Sequence, residues 1–201
     1  MPFSFLVYYL LTLRHIFEKM EDTKQEYKQV IANCRDIYVK KLHDYDAAWR
    51  VLRIPSLTDQ IAIKAKRIRS VQETGVNLVD EDIRSEFMAI VNYGIIGLIQ
   101  LEKGDTVEED LNMDEAISLY DKYAESSMNL MLAKNHDYGE AWRSMRISSF
   151  VDIILMKINR TKKIENLGGQ TYISEGIDAN YMDMINYSVF ALIKMDFGKD
   201  K

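Results

Sequence analysis

The chain has 201 residues, 47% of them hydrophobic and 28% charged, and a formal net charge of −5. That is enough apolar material to bury the core of one large domain or two small ones, and the acidic balance argues against a general nucleic-acid binder, which carries a basic surplus. A single cysteine, Cys34, excludes an intramolecular disulfide and suits the cytosol.

The first segment, residues 3–13, reads FSFLVYYLLTL. It is apolar but spans only about half of the ~20 residues a membrane-crossing helix needs. The basic residues Arg14 and His15 follow the run, where a secretory signal would place them before it. Residues 1–19 are therefore expected to be an N-terminal extension, with a misassigned start as the favoured explanation and a membrane-associating segment as the alternative. From Met20 the chain reads as polar, helix-forming sequence.

Few breakers interrupt the rest: two prolines and nine glycines. No strand alternation or Asn-Gly hairpin turn occurs. Apolar residues recur at helical spacing, and 89–101 (AIVNYGIIGLIQL) and 182–195 (MDMINYSVFALIKM) are apolar nearly all round, as central buried helices are. The expectation is an all-α protein.

KLHDYDAAWRVLR at 41–53 returns as KNHDYGEAWRSMR at 134–146. At an offset of 93, residues 41–67 match 134–160 at 14 of 27 positions. After Gly168-Gly169 the offset becomes 94, pairing Glu81 with Glu175 and Asn92-Tyr93 with Asn186-Tyr187, while upstream Tyr27 pairs with Tyr120. The chain is thus read as two homologous helical repeats, 20–101 and 113–195, joined by an acidic linker at 102–112 and followed by a tail at 196–201. A pseudo-twofold helix bundle is the expected architecture; a homodimer is compatible with it.

Several repeated residues have structural explanations. Ser56-x-x-Asp59 and Ser149-x-x-Asp152 fit the capping-box pattern, with Asp152 as a ligand the alternative. Asp80 and Ser174 are good N-caps, which would place Glu81 and Glu175 in the first turn of the third helix of each unit, where the helix dipole favours an acid. Trp49 and Trp142 suit packing on the core better than stacking on a base. His43 and His136 precede aspartates, but a metal phosphohydrolase needs more histidines than the three in this chain.

Other residues carry chemistry. Lys157 and Arg160, like Lys64 and Arg67, are three apart and share a helix face. They form either a solvated edge or a grip on phosphates, the arginine offering a planar fork. Glu175, Asp183, Asn186 and Tyr187 fall on one stripe of the last helix. A carboxylate in so apolar a helix needs a partner: Asp183 is either a site residue or the buried partner of an Arg or Lys. An oxygen-rich, histidine-poor acid set suits Mg2+ or Mn2+. Unit one has Arg84 and Ala89 where unit two has Asp178 and Asp183, so metal-binding acids are expected mainly in unit two.

The pattern D-Y-G-x-x-W, D-x-x-x-x-K-x-x-R and E-x7-D-x-x-N-Y resembles the first of the nucleotide modification associated domains. It runs through Asp137, Trp142, Asp152, Lys157, Arg160, Glu175, Asp183, Asn186 and Tyr187 in unit two. In unit one it runs through Asp44, Trp49, Asp59, Lys64, Arg67, Glu81, Asn92 and Tyr93. The resemblance implies an all-α fold and a role in nucleotide or modified-base metabolism. The acidic helix is also similar to that of MazG-like nucleoside triphosphate pyrophosphohydrolases, although their Glu-Glu-x-x-Glu motif has only a loose echo in DEDIRSE at 80–86. The combined expectation is a cytoplasmic nucleotide-binding protein with Mg2+- or Mn2+-dependent phosphohydrolase activity. Asp137, Glu175 and Asp183 would hold metal and orient water, Lys157, Arg160, Lys64 and Arg67 would hold phosphates, and Asn186 and Tyr187 would touch the ligand. The alternatives are a non-catalytic nucleotide-binding module and a helical interaction protein.

Overall fold

The computed structural model describes residues 3–77 and 82–198, with side chains described from Glu21 onward. The side chains of the expected extension at 1–19, together with Asp80 and Glu81, lie outside the described residues. Helices account for nearly all of the described chain: α1 (Phe3–Tyr45), α2 (Ile54–Thr74) and α3 (Ile83–Lys103) in unit one, α4 (Met113–Tyr138), α5 (Ile147–Asn166) and α6 (Ile177–Phe197) in unit two. A short 3-10 turn, Ala48–Val51 or Ala141–Ser144, precedes the second helix of each unit.

The two units form one pseudo-twofold bundle around a shared hydrophobic core. The central pair is α3 and α6, the two helices whose sequences are apolar on all faces; α2 and α5 pack beside them and on each other, and α1 packs on α4 and α6. Two glycines let α3 approach α6. A Cβ at Gly97 would lie 2.9 Å from the Tyr181 ring, and one at Gly94 would lie 2.6 Å from Ile185. Gly97→Ala is therefore expected to destabilise by about 1–3 kcal/mol through overpacking, measurable as a lower urea midpoint.

The repeated letters become reciprocal contacts across the pseudo-twofold axis. The Tyr27 hydroxyl donates to Asn186 Oδ1 at 2.7 Å, and that of Tyr120 donates to Asn92 Oδ1 at 2.8 Å. The two amides then donate, Asn92 to Cys34 O and Asn186 to Ser127 O, each at 3.1 Å. Cys34 and Ser127 are themselves equivalent, so each α1–α3 or α4–α6 contact is tied to the opposite unit's tyrosine. Burial pushes the Cys34 thiol up to about 12, which leaves it an inert core sulfur.

The Ser-x-x-Asp segments serve the same symmetry. The expected capping boxes do not form: α2 and α5 begin at Ile54 and Ile147, with Arg53 and Arg146 as N-caps and no side-chain cap bond. Both helices start two residues before the serine, so the serine and the aspartate already lie inside them. Asp59 instead accepts from Lys162 at 2.5 Å, and Asp152 accepts from Arg69 at 2.7 Å. Arg69 and Lys162 are equivalent positions, so the pairs clasp α2 to α5 twice. In α6 the expected start is also shifted. The Ser174 carbonyl is taken by the Thr171 hydroxyl at 2.8 Å in an exposed turn, Gly176 is the N-cap, and Glu175 lies before the helix. Among the described residues a capping box forms at the start of α4, between Asn112 and Glu115.

Candidate functional site

Each 3-10 turn is hung from its third helix by one side chain. Gln100 donates its amide to the carbonyls of Arg50 and Leu52 at 2.9 and 2.8 Å. In unit two the equivalent Lys194 donates to Arg143 and Met145 at 2.6 and 2.7 Å. The turn carries the tryptophan: Trp49 is 9% and Trp142 6% exposed, and the Trp142 indole N–H has no hydrogen-bond partner among the described residues. Beneath each tryptophan, the first, second and third helices of the unit enclose a space. The two units fill that space differently.

In unit two it is bridged. Asp183, 6% exposed, accepts from Lys134 at 2.7 Å and also from Lys157, itself 8% exposed. Burial alone would raise the Asp183 carboxyl, but the hydrogen bonds from Lys134 and Lys157 outweigh it and hold the group below the ordinary carboxylate value. Phe190 stacks on Trp142 at 4.2 Å between ring centroids and packs against Phe150 and Tyr187 at 6.3 and 6.1 Å.

In unit one the equivalents of Asp183 and Phe190 are Ala89 and Ile96. Both are smaller, and a cavity of about 360 Å3 opens there. Tyr45, Tyr93 and Trp49 supply aromatic wall; Lys41, Lys64, Asp46 and Glu86 supply charge. Glu86 is 1% exposed and replaces Asn180 of unit two, one helical turn before Ala89. Its Oε1 accepts from Arg67. Its Oε2 lies 3.1 Å from Lys64 Nζ but out of line for a hydrogen bond, so this buried oxygen has no aligned donor. Lys41, the equivalent of Lys134, is exposed and makes no ion pair or hydrogen bond with any described residue. Asp46 sits in a left-handed conformation (φ 50°), the same conformation as its equivalent Gly139 (φ 59°).

The expected site residues are thus distributed over two places. Lys64 borders the cavity of unit one; Arg67 stands behind it, on Glu86 and on Asn77 Oδ1 at 3.0 Å. Lys157 and Asp183 form the bridge of unit two, with Tyr187 close enough to feel the charges of Asp183 and Lys134. Asn186 spends both ends of its amide on Tyr27 and Ser127. Arg160 is half-buried and makes no ion pair with a described residue. Asp137 is exposed at the end of α4, 3.1 Å from His136, and Glu175 is exposed in the loop before α6.

This donor set does not fit a divalent metal. Among the described residues no three His, Cys, Asp or Glu side chains cluster to hold an ion. Asp183 is occupied by two ammonium groups, and Glu86 faces one ammonium and one guanidinium.

Sequence reasoning missed Lys41, Asp46, Glu86 and Lys134. Lys41 and Lys134 were visible as the first matching letter of the repeat. The cavity itself was not visible, because it is made by two small residues in one copy. Among the described residues no helix is long and apolar enough to cross a membrane. No curated protein and no solved structure matches the chain significantly. A family match covers residues 41–101 and 134–195, one segment in each unit and more than half of the chain together, under the description nucleotide modification associated domain 1. The chain is a tandem member of that family.

Proposed function

We propose that this protein binds a nucleotide in the cavity of unit one, in a cytosolic setting, and that unit two serves as its structural counterpart. The observation that carries this reading is the contrast between the two copies: one space is crossed by an internal ion bridge, and its equivalent is open, aromatic and bordered by two lysines and two carboxylates. A volume of about 360 Å3 lies within the range of small-molecule sites, which are mostly apolar with a few convergent polar groups. Rings such as Tyr45, Tyr93 and Trp49 suit a base, since stacking on an aromatic side chain is worth about 1–3 kcal/mol per base. Lys41 and Lys64 suit phosphate oxygens as point charges. The family description supports the choice of a nucleotide over other aromatic anions.

Binding is the activity the geometry supports best, and hydrolysis is the alternative that one assay separates from it. Isothermal titration of a panel of ordinary and modified nucleotides, with product analysis of the same samples, reads both. Saturable binding without release of phosphate or pyrophosphate is expected. Lys41 is exposed and outside every described bond, so Lys41→Glu should leave the melting temperature unchanged and weaken binding roughly tenfold or more, as loss of one charge-assisted hydrogen bond does. Unchanged affinity in Lys41→Glu would contradict the site.

A further inference from the structure

Resting on the nucleotide reading above, we propose that the cavity contains a phosphomonoester subsite between Lys41 and Lys64, at the place that the Asp183 carboxylate fills in unit two, and that its ligand is a nucleoside monophosphate. Unit two shows the arrangement already occupied. There Lys134 and Lys157 converge on one anionic group, and that group belongs to the chain itself. Unit one keeps both lysines, as Lys41 and Lys64, but has Ala89 at the position of Asp183; Lys64 pairs instead with Glu86, one turn earlier on α3 and 3.1 Å away, so no carboxylate joins the two lysines. Both lysines border the cavity so opened, and Lys41 has no described partner. Two cations that border one cavity without the carboxylate that joins their equivalents leave room for an external anion.

Charge sets the class of ligand. The cavity wall carries two ammonium groups and two carboxylates, Lys41 and Lys64 against Asp46 and Glu86. A phosphomonoester brings a charge of about −1.5 to −2 at pH 7, which two lysines can offset when the carboxylates make their own contacts. Arg67 supplies one of these, holding Glu86 from behind. A triphosphate brings more charge than the two lysines offset. The unaligned Glu86 Oε2 is a buried acceptor at the same cavity, fit to receive an N–H or O–H of the ligand.

The test is calorimetric titration of the full chain with nucleoside 5′-monophosphates, the matching nucleosides and triphosphates, and phenyl phosphate. The variants are Ala89→Asp and the pair Glu86→Asn with Ala89→Asp, which copies unit two. The expected result is a monophosphate bound at least ~10-fold more tightly than its nucleoside or triphosphate, and loss of that preference in both variants because the new carboxylate takes the lysines. Lys41→Met, an exposed substitution, gives the same readout should either variant fold poorly. Equal affinity for nucleoside and monophosphate, or a monophosphate affinity that Ala89→Asp leaves intact, overturns the subsite while the nucleotide reading stands. Phenyl phosphate binding that Ala89→Asp abolishes, with no nucleotide bound, keeps the phosphate subsite and overturns the nucleotide reading. Silence toward every probe overturns both.

Discussion

Asp183→Ala is expected to destabilise the protein by about 3 kcal/mol, the lower end of the cost of breaking a buried ion pair. Lys157 is left in the interior without its anion, but Lys134 is about half exposed and turns to water, which discounts the loss. For a chain of this length the melting temperature should fall by roughly 6–12 °C. The pH dependence carries a sign. The folded-state carboxyl is held below its ordinary value, so its stabilisation is fully present above the unfolded carboxylate value, ~3.9, and is lost as pH falls through the lower folded value. Wild type and Asp183→Asn should therefore differ by a constant amount across neutral pH and converge below about pH 4. Inorganic phosphate should restore part of the melting temperature of Asp183→Ala, more than chloride at equal ionic strength, by filling the space between Lys134 and Lys157. A variant as stable as wild type at pH 7 would show that the bridge contributes nothing.

Arg50→Ala should cost about 2–3 kcal/mol, because the buried Gln100 Oε1 loses a charged donor while Asp110 turns to water, whereas Arg143→Ala at the equivalent position, where the guanidinium is 38% exposed, should cost about 1–2 kcal/mol. The letters are the same and the burial is not. Arg50 is 1% exposed and every part of its fork is used: Nε and Nη2 donate to Asp110 at 2.6 and 3.0 Å, and Nη1 donates to Gln100 and to Gly104 O. Its removal leaves Gln100 Oε1 and the Gly104 carbonyl without that donor and frees the 104–112 connection from the turn that carries Trp49. Arg143 lies 38% exposed, over the Trp142 ring at 4.4 Å, and pairs with Glu26 and Glu140. Chemical denaturation of the two variants measures the difference. Equal losses would mean that the burial of Arg50 has no energetic consequence.

The all-α class was legible because α3 and α6 are apolar on every face and few prolines or glycines interrupt the helices. The duplication was legible from letters alone, but the purpose of those letters was not. Ser-x-x-Asp has the spacing of a cap, and local sequence cannot tell that spacing from an aspartate that reaches a neighbouring helix. Asp59 and Asp152 proved to be inter-unit clasps because α2 and α5 start earlier than the serines. Asp183 stood out in an apolar helix for the right physical reason, the cost of burying a charge. Its partner Lys134 lies far away in sequence, on another helix. Counting acids pointed to unit two, where Asp183 is bonded to Lys134 and Lys157. The cavity of unit one comes from Ala89 and Ile96, and a small side chain gives no signal in a sequence until its duplicate shows what fills the equivalent position.

The most direct test is a crystal structure of the full chain grown with a saturating nucleoside 5′-monophosphate. The two copies in one molecule act as each other's control. Ligand density over Tyr93 with its phosphate between Lys41 and Lys64, and an undisturbed Lys134–Asp183–Lys157 bridge in unit two, is the predicted result. Density beside Lys157 and Arg160 with the bridge broken, or an empty unit-one cavity under conditions where binding is saturated in solution, would contradict it.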